Sequence, residues 1–189
     1  MTVSTYQEAE LETQARVGTI IAISYSAELK DGVAKELHES AAVTRWGIPG
    51  DKHYGETRMS QSQGGIVPNL QPISVCGIEA ANAACERLGI PPVPHGGLGE
   101  NILVEGLGDL SDIGPGDQIH ITSPDGELKV ALETYKQNPP CSNLMVYHRL
   151  MVKELFGRRG IFCTVLKEGE IRLGDRVNVV RDGAELFRG

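Results

Sequence analysis

The sequence predicts a mainly β (α+β) fold, a closed or nearly closed β-barrel with about two flanking helices. Three observations carry this. Short runs rich in Val and Ile recur along the 189 residues, separated by turns that contain Gly and Pro, as in all-β barrels. Two stretches show helical spacing of apolar residues. With 23 glycines and aromatics at 5%, the core falls to Val, Ile, Leu and Ala between many turns.

Residues 1–16 are polar and acidic and read as a flexible arm, which leaves 17–189 as a single domain long enough for one sizeable core. VGTIIAISY at 17–25 is a branched, strand-length run. GIPGDKHYG at 47–55 has too many breakers for regular structure and is an ordered loop. ISVC at 73–76 is a short strand. GIEAANAACERLG at 77–89 follows it as a helix, because Ile78, Ala81, Cys85 and Leu88 fall on one face and Gly89 with Pro91 stops it. HGGLG at 95–99 is a loop into a strand at 100–104.

An internal echo follows. IGPGDQIHI at 113–121 resembles IRLGDRVNV at 171–179. In each, Gly-Asp makes a tight turn, and Ile119 with Ile121, like Val177 with Val179, shares one buried face. Pro124-Asp125-Gly126 is a hairpin turn. A second helix spans 143–156, with Leu144, Tyr147, Met151 and Leu155 on one face and Ser142 as N-cap. It ends in GRRG at 157–160, and IFCTV at 161–165 resumes β structure.

Lys and Arg total 18 against 25 Asp and Glu, a net charge of -7. No nucleic-acid partner is expected, because phosphate contacts need a basic face. The N-terminus lacks the basic and apolar regions of a secretory signal, and no run approaches the roughly 20 apolar residues that span a bilayer, so no membrane partner is expected. Cys76, Cys85, Cys141 and Cys163 show neither CxxC nor zinc spacing. Four free thiols suit a reducing, cytoplasmic setting.

NPPCSN at 138–143 is the most chemically suggestive segment. Two prolines stiffen the approach, and Cys141 stands just before a helix, where backbone N–H groups and the helix dipole favour a thiolate. By position alone, a lone cysteine there is more often an inert, buried thiol. Cys76, Cys85 and Cys163 lie on apolar faces and are expected to be inert. Lys52, His53 and Arg58 cluster in or beside the first Gly-rich loop, either as an anion site or as solvated charges paired to Asp51 and Glu56. Asn101 has donors and an acceptor that suit a polar ligand, and Glu100 could orient a donor. Both equally suit a strand entrance, where they would satisfy loop backbone. His95 is a candidate cavity residue, His148 a candidate base for the thiol or a packing residue, and Arg158 and Arg159 either cap the second helix or, if the helix doubles back, reach an anion.

Read in order, GDKHYG (50–55), GENILVEG (99–106), Gly116-Asp117, Pro140-Cys141, Arg159-Gly160 and GEIRLGD (169–175) resemble the MOSC family, named for the C-terminal domain of molybdenum cofactor sulfurases. The likeness spans roughly residues 17–180, and the family includes small stand-alone bacterial members. It implies a MOSC-type β-barrel and places Cys141 on the family's characteristic cysteine, which carries sulfur as a persulfide or ligates molybdenum in a pterin cofactor. It also implies molybdenum cofactor binding, with Cys141 as the metal ligand and Lys52, His53, Arg58, Glu100 and Asn101 around the cofactor. The alternative is a molybdenum-dependent reductase of N-hydroxylated compounds working with a partner reductase. A third possibility is a non-catalytic barrel with Cys141 buried. Nothing marks a Schiff-base lysine, so no pyridoxal phosphate is expected. The segment 59–72, MSQSQGGIVPNLQP, departs from the family pattern and is expected to be a loop over the pocket.

Overall fold

The computed structural model describes residues 16–60 and 63–181, so the expected N-terminal arm lies almost wholly outside the described residues. β1 (Val17–Ser24), β2 (Leu37–His38), β3 (Ser40–Val43), β4 (Thr57–Ser60), β5 (Gly65–Pro68) and β6 (Ile73–Gly77) precede α1 (Ile78–Leu88). Then come β7 (Ile102–Glu105), β8 (Gln118–Thr122) and β9 (Leu128–Gln137). A 3-10 helix (Ser142–Val146), α2 (Met151–Glu154), β10 (Ile161–Lys167), β11 (Gly169–Arg172) and β12 (Arg176–Val180) complete the fold.

Strands β12, β8, β9, β10, β6, β7 and β1 hydrogen-bond in that order, and β1 pairs back onto β12. The ring is therefore a closed seven-stranded barrel, with β2 appended to β1. Closure leaves no open edge in the ring. β6 and β7 run parallel because α1 connects them, and the other neighbours in the ring are antiparallel. β3 pairs with β11, and β4 with β5, outside the ring.

Apolar alternation decides which side each residue faces. Ile73 and Val75 of β6 and Ile102 and Val104 of β7 join the cluster that fills the barrel. Cys76 and Leu103 point the other way, into a second cluster with Ala80, Ala81, Ala84 and Cys85 of α1 and with Leu144, Met151 and Leu155. Burial on both faces is what the parallel pair needs. On α1, the small side chains Ala80, Ala81, Ala84 and Cys85 are the fully covered ones, with Ile78 and Leu88 partly buried at the flanks. The helix ends at Gly89 in the left-handed conformation.

The internal echo has a spatial meaning. Val177 pairs with Ile121 and Val179 with Ile119 across β12 and β8. Their turns share one chemistry, since Asp117 Oδ2 accepts the Gly114 amide at 2.9 Å and Asp175 Oδ2 accepts the Arg172 amide at 2.8 Å.

Two expectations need correction. The second helix is not continuous over 143–156, because a 3-10 helix and the short α2 are separated by residues 147–150. Two side chains compete with the helical backbone there: Tyr147 donates its hydroxyl to Gly97 O at 3.0 Å, and His148 Nδ1 accepts the Leu150 amide at 3.2 Å. Ser142 is the first residue of the 3-10 helix, and Cys141 occupies the cap without a side-chain cap bond. The segment 59–72 is not merely a loop either, since the end of β4 and all of β5 lie in it and form a hairpin, pairing Met59 with Ile66.

Candidate functional site

The loops at one rim of the barrel enclose a cavity of about 190 Å³. Lys35 comes from the segment after β1, His53 from the first Gly-rich loop and Asn101 from the entrance to β7. Asn138 and Cys141 follow β9, while Arg159 and Phe162 lead into and begin β10. The ionisable nitrogen-bearing residues of its lining are Lys35, His53 and Arg159, and no carboxylate is among the lining residues. Cys141 is exposed at this cavity, unlike the buried thiol that its position alone allowed, whereas Cys76, Cys85 and Cys163 are buried. Burial pushes the Cys163 thiol up to about 12, and burial with the nearby Glu100 charge pushes Cys76 higher still.

Behind the lining lies a charged network. Lys35 Nζ is 2.7 Å from Asp51 Oδ2, with side chains 1% and 0% exposed. Burial drives the Lys35 ammonium below its ordinary value, against the attraction of Asp51. Burial opposes charge on Asp51 too, but hydrogen bonds from His53 and the Lys35 charge outweigh it and hold the carboxyl at about 2. The His53 amide donates to Asp51 Oδ1 at 2.8 Å, and the His53 ring nitrogen lies 3.2 Å from the same oxygen.

Asn101 ties this pair to the barrel. Its Nδ2 donates to Asp51 Oδ2 at 3.1 Å and to Ser24 O at 3.3 Å, while its Oδ1 accepts the Ser74 amide and hydroxyl. The amide is saturated, so its part in the cavity wall is to hold Asp51 rather than to meet a ligand. Glu100 is 1% exposed and outside the lining. Its carboxylate accepts the Gly96 amide at 2.7 Å and the Leu98 amide at 3.0 Å, and burial raises its pKa against those bonds.

Glu100 thereby shapes the loop whose Leu98 carbonyl accepts Arg159 Nη2. Arg159 Nη1 donates to Pro139 O at 3.0 Å, so this buried guanidinium clamps the Pro139-Pro140-Cys141 segment to the barrel. Gly160, beside it at φ 128, is compelled to be glycine, since a Cβ would strike Val75 O and crowd Cys76.

Lys52 and Arg58 line a neighbouring cavity of about 430 Å³ with Tyr54 and Met59, and the two cavities share His53, Gln71 and Phe162. His53 is thus the predicted residue that faces both. His95 is exposed and His148 is half-buried, and neither lines these cavities. Arg158 lies 3.7 Å from Asp109. Sequence reasoning missed Lys35 and Phe162, singled out Asn138 only as part of the Cys141 segment, took Asp51 as a partner for loop charge, and read Arg159 first as a helix cap and second as a group that reaches an anion. It also credited Cys141 with a helix dipole that a five-residue 3-10 helix barely supplies. No helix among the described residues is long and apolar enough to cross a membrane.

Similarity to known proteins agrees with this architecture. A Bacillus subtilis (strain 168) protein named "Putative metal-sulfur cluster biosynthesis proteins YuaD" is 30% identical over 173 residues, covering 82% of this chain and 86% of its own. The crystal structure of YuaD from Bacillus subtilis matches with a TM-score of 0.77 at 24% identity, over 89% of this chain and 99% of that one. YiiM from Geobacillus stearothermophilus matches with a TM-score of 0.61 at 23% identity, over 88% of this chain and 76% of that one. The profile of the MOSC domain matches residues 50–178, more than half of the sequence, and the chain belongs to the MOSC domain family.

Proposed function

We propose that the protein carries sulfur on Cys141, as a persulfide, in metal-sulfur or molybdenum cofactor metabolism. The observation that supports this most is the exposed thiol at a cavity whose ionisable lining, Lys35, His53 and Arg159, bears no carboxylate. A persulfide is an anion, and cations at a partly desolvated wall stabilise it more than bulk water does. Arg159 positions the Cys141 segment through Pro139, and Glu100 and Asn101 hold the loops that form the wall. The name of the Bacillus subtilis relative, which points to metal-sulfur cluster biosynthesis, supports the same chemistry. Free cysteines suit a reducing, cytoplasmic setting. The test is to load reduced protein with a polysulfide and measure intact mass. A gain of one sulfur in wild type and none in Cys141→Ser is expected, and equal loading of both refutes the reading.

A second reading is that Cys141 ligates molybdenum in a pterin cofactor. The adjoining cavity of about 430 Å³ fits an anionic, ring-bearing group: Lys52 and Arg58 supply cations, Tyr54 and Phe162 supply rings, and Arg58 Nε is buried without a partner. Lys52, His53 and Arg58 would hold the cofactor, and bound molybdenum would supply redox chemistry, including reduction of N-hydroxylated compounds given a partner reductase. Molybdenum per chain, in protein from a host that makes the cofactor, is expected near one in wild type and near none in Cys141→Ser on this reading.

A further inference from the structure

The cavity beside Cys141 holds polar groups that its own fold leaves unanswered. Arg159 is 8% exposed, and with Nη1 and Nη2 bonded to Pro139 and Leu98 carbonyls its Nε has no partner. Among the described residues no carboxylate lies within ion-pair distance of it, so its charge has no direct counter-ion. Asn138 is 3% exposed, lines the same cavity and leaves Oδ1 without a partner. By a turn of its amide it offers the cavity either a donor or an acceptor. Lys35 has three ammonium hydrogens and one carboxylate, Asp51, in contact. A buried, cation-lined recess of about 190 Å³ suits a small oxyanion and is too narrow for a protein segment.

We infer that this recess binds a small sulfur oxyanion with a transferable terminal sulfur, of which thiosulfate is the simplest. The inference rests on the sulfur-carrying reading of Cys141 and names its donor. The Cys141 thiolate attacks the terminal sulfur, a new S–S bond forms, and the bond from that sulfur to the sulfonate sulfur breaks. Sulfite leaves with the bonding electron pair, and Cys141 keeps a persulfide anion, so charge and electrons balance with no outside oxidant. Arg159 Nε and the Lys35 ammonium face the sulfonate oxygens, where charge grows as sulfite departs. A protein persulfide donor fits less well, because the unanswered groups are at least nine-tenths buried, beyond the reach of a docked surface.

The experiment incubates reduced wild-type protein with thiosulfate and, in parallel, with polysulfide, reading intact mass and released sulfite. The expected result is one sulfur gained per chain on Cys141 with an equal amount of sulfite, saturating with thiosulfate and competed by sulfate. Arg159→Gln is expected to raise half-saturating thiosulfate about tenfold or more, as loss of a charged donor does, and to weaken competition by sulfate by a similar factor. Loading by polysulfide but not by thiosulfate overturns the inference and leaves sulfur carriage standing. Loading by neither overturns carriage itself. If Arg159→Gln does not fold, sulfate competition in wild type decides, and thiosulfate loading indifferent to sulfate overturns the anion site.

Discussion

Replacing Lys35 with Met removes one half of the buried pair behind the site. Asp51 then remains a carboxylate with a side chain at 0% exposure, held by the His53 amide at 2.8 Å, Asn101 Nδ2 at 3.1 Å and the His53 ring at 3.2 Å. Removing one member of a buried pair costs about 3–5 kcal/mol, and the three surviving donors place this case at about 3 kcal/mol. In a chain of this length that lowers Tm by about 6–12 °C. Lys35→Met combined with Asp51→Asn removes both charges and keeps the shape, so the double variant is expected to lose about 2 kcal/mol less than the two singles together. Urea unfolding of all four proteins measures the coupling. Additivity within ~0.5 kcal/mol refutes the claim that this pair is an energetic unit.

The same pair sets an acid limit. The carboxyl of Asp51 falls from an ordinary 3.8 to about 2 in the fold. A depressed carboxyl stabilises the fold above its unfolded value, so roughly 2 kcal/mol is present above pH 4 and is lost as pH falls toward 2. In Lys35→Met, whose Asp51 lacks the cation, that loss is expected to begin at a higher pH in acid titrations followed by circular dichroism. Native protein treated with a thiol reagent is expected to label Cys141 alone, since Cys76, Cys85 and Cys163 are 0–2% exposed. Rapid native labelling of Cys76 refutes that burial. Gly160→Ala drives a methyl into Val75 O at a φ of 128 and is expected to cost about 3 kcal/mol or more by urea unfolding. A stable Gly160→Ala protein refutes the close approach. Val177→Ala, at 0% exposure opposite Ile121, is expected to cost about 2 kcal/mol, and a loss below ~0.5 kcal/mol contradicts its place in the barrel core.

What was legible in the sequence is what local pattern determines. The branched run at 17–25, the helix before Gly89 and the paired Gly-Asp turns all follow from spacing and turn chemistry, and each forms where expected. The hairpin of β4 and β5 escaped because its strands are only four residues each and its paired Met59 and Ile66 are exposed, so no buried face imposes an alternating pattern. The helix break at residues 147–150 escaped because its cause, the Tyr147 bond to Gly97, lies fifty residues away in sequence. The site divides in the same way. Cys141 and the first Gly-rich loop announce themselves locally. Lys35 reads as an ordinary surface lysine, and only bonds between loops distant in sequence, Tyr25 N–H to Glu36 O and Lys52 N–H to Ser26 O, bring it onto Asp51. Glu100 and Asn101 draw attention as polar residues at a strand entrance, but their full sets of hydrogen bonds show that they hold the wall together.

The most direct test of the account is peptide-resolved persulfide mapping of protein alkylated as it is taken from cells. Persulfide on the peptide that contains Cys141, and plain thiols at Cys76, Cys85 and Cys163, is the predicted result. Plain thiol at Cys141 throughout, in cells supplied with sulfur, contradicts it.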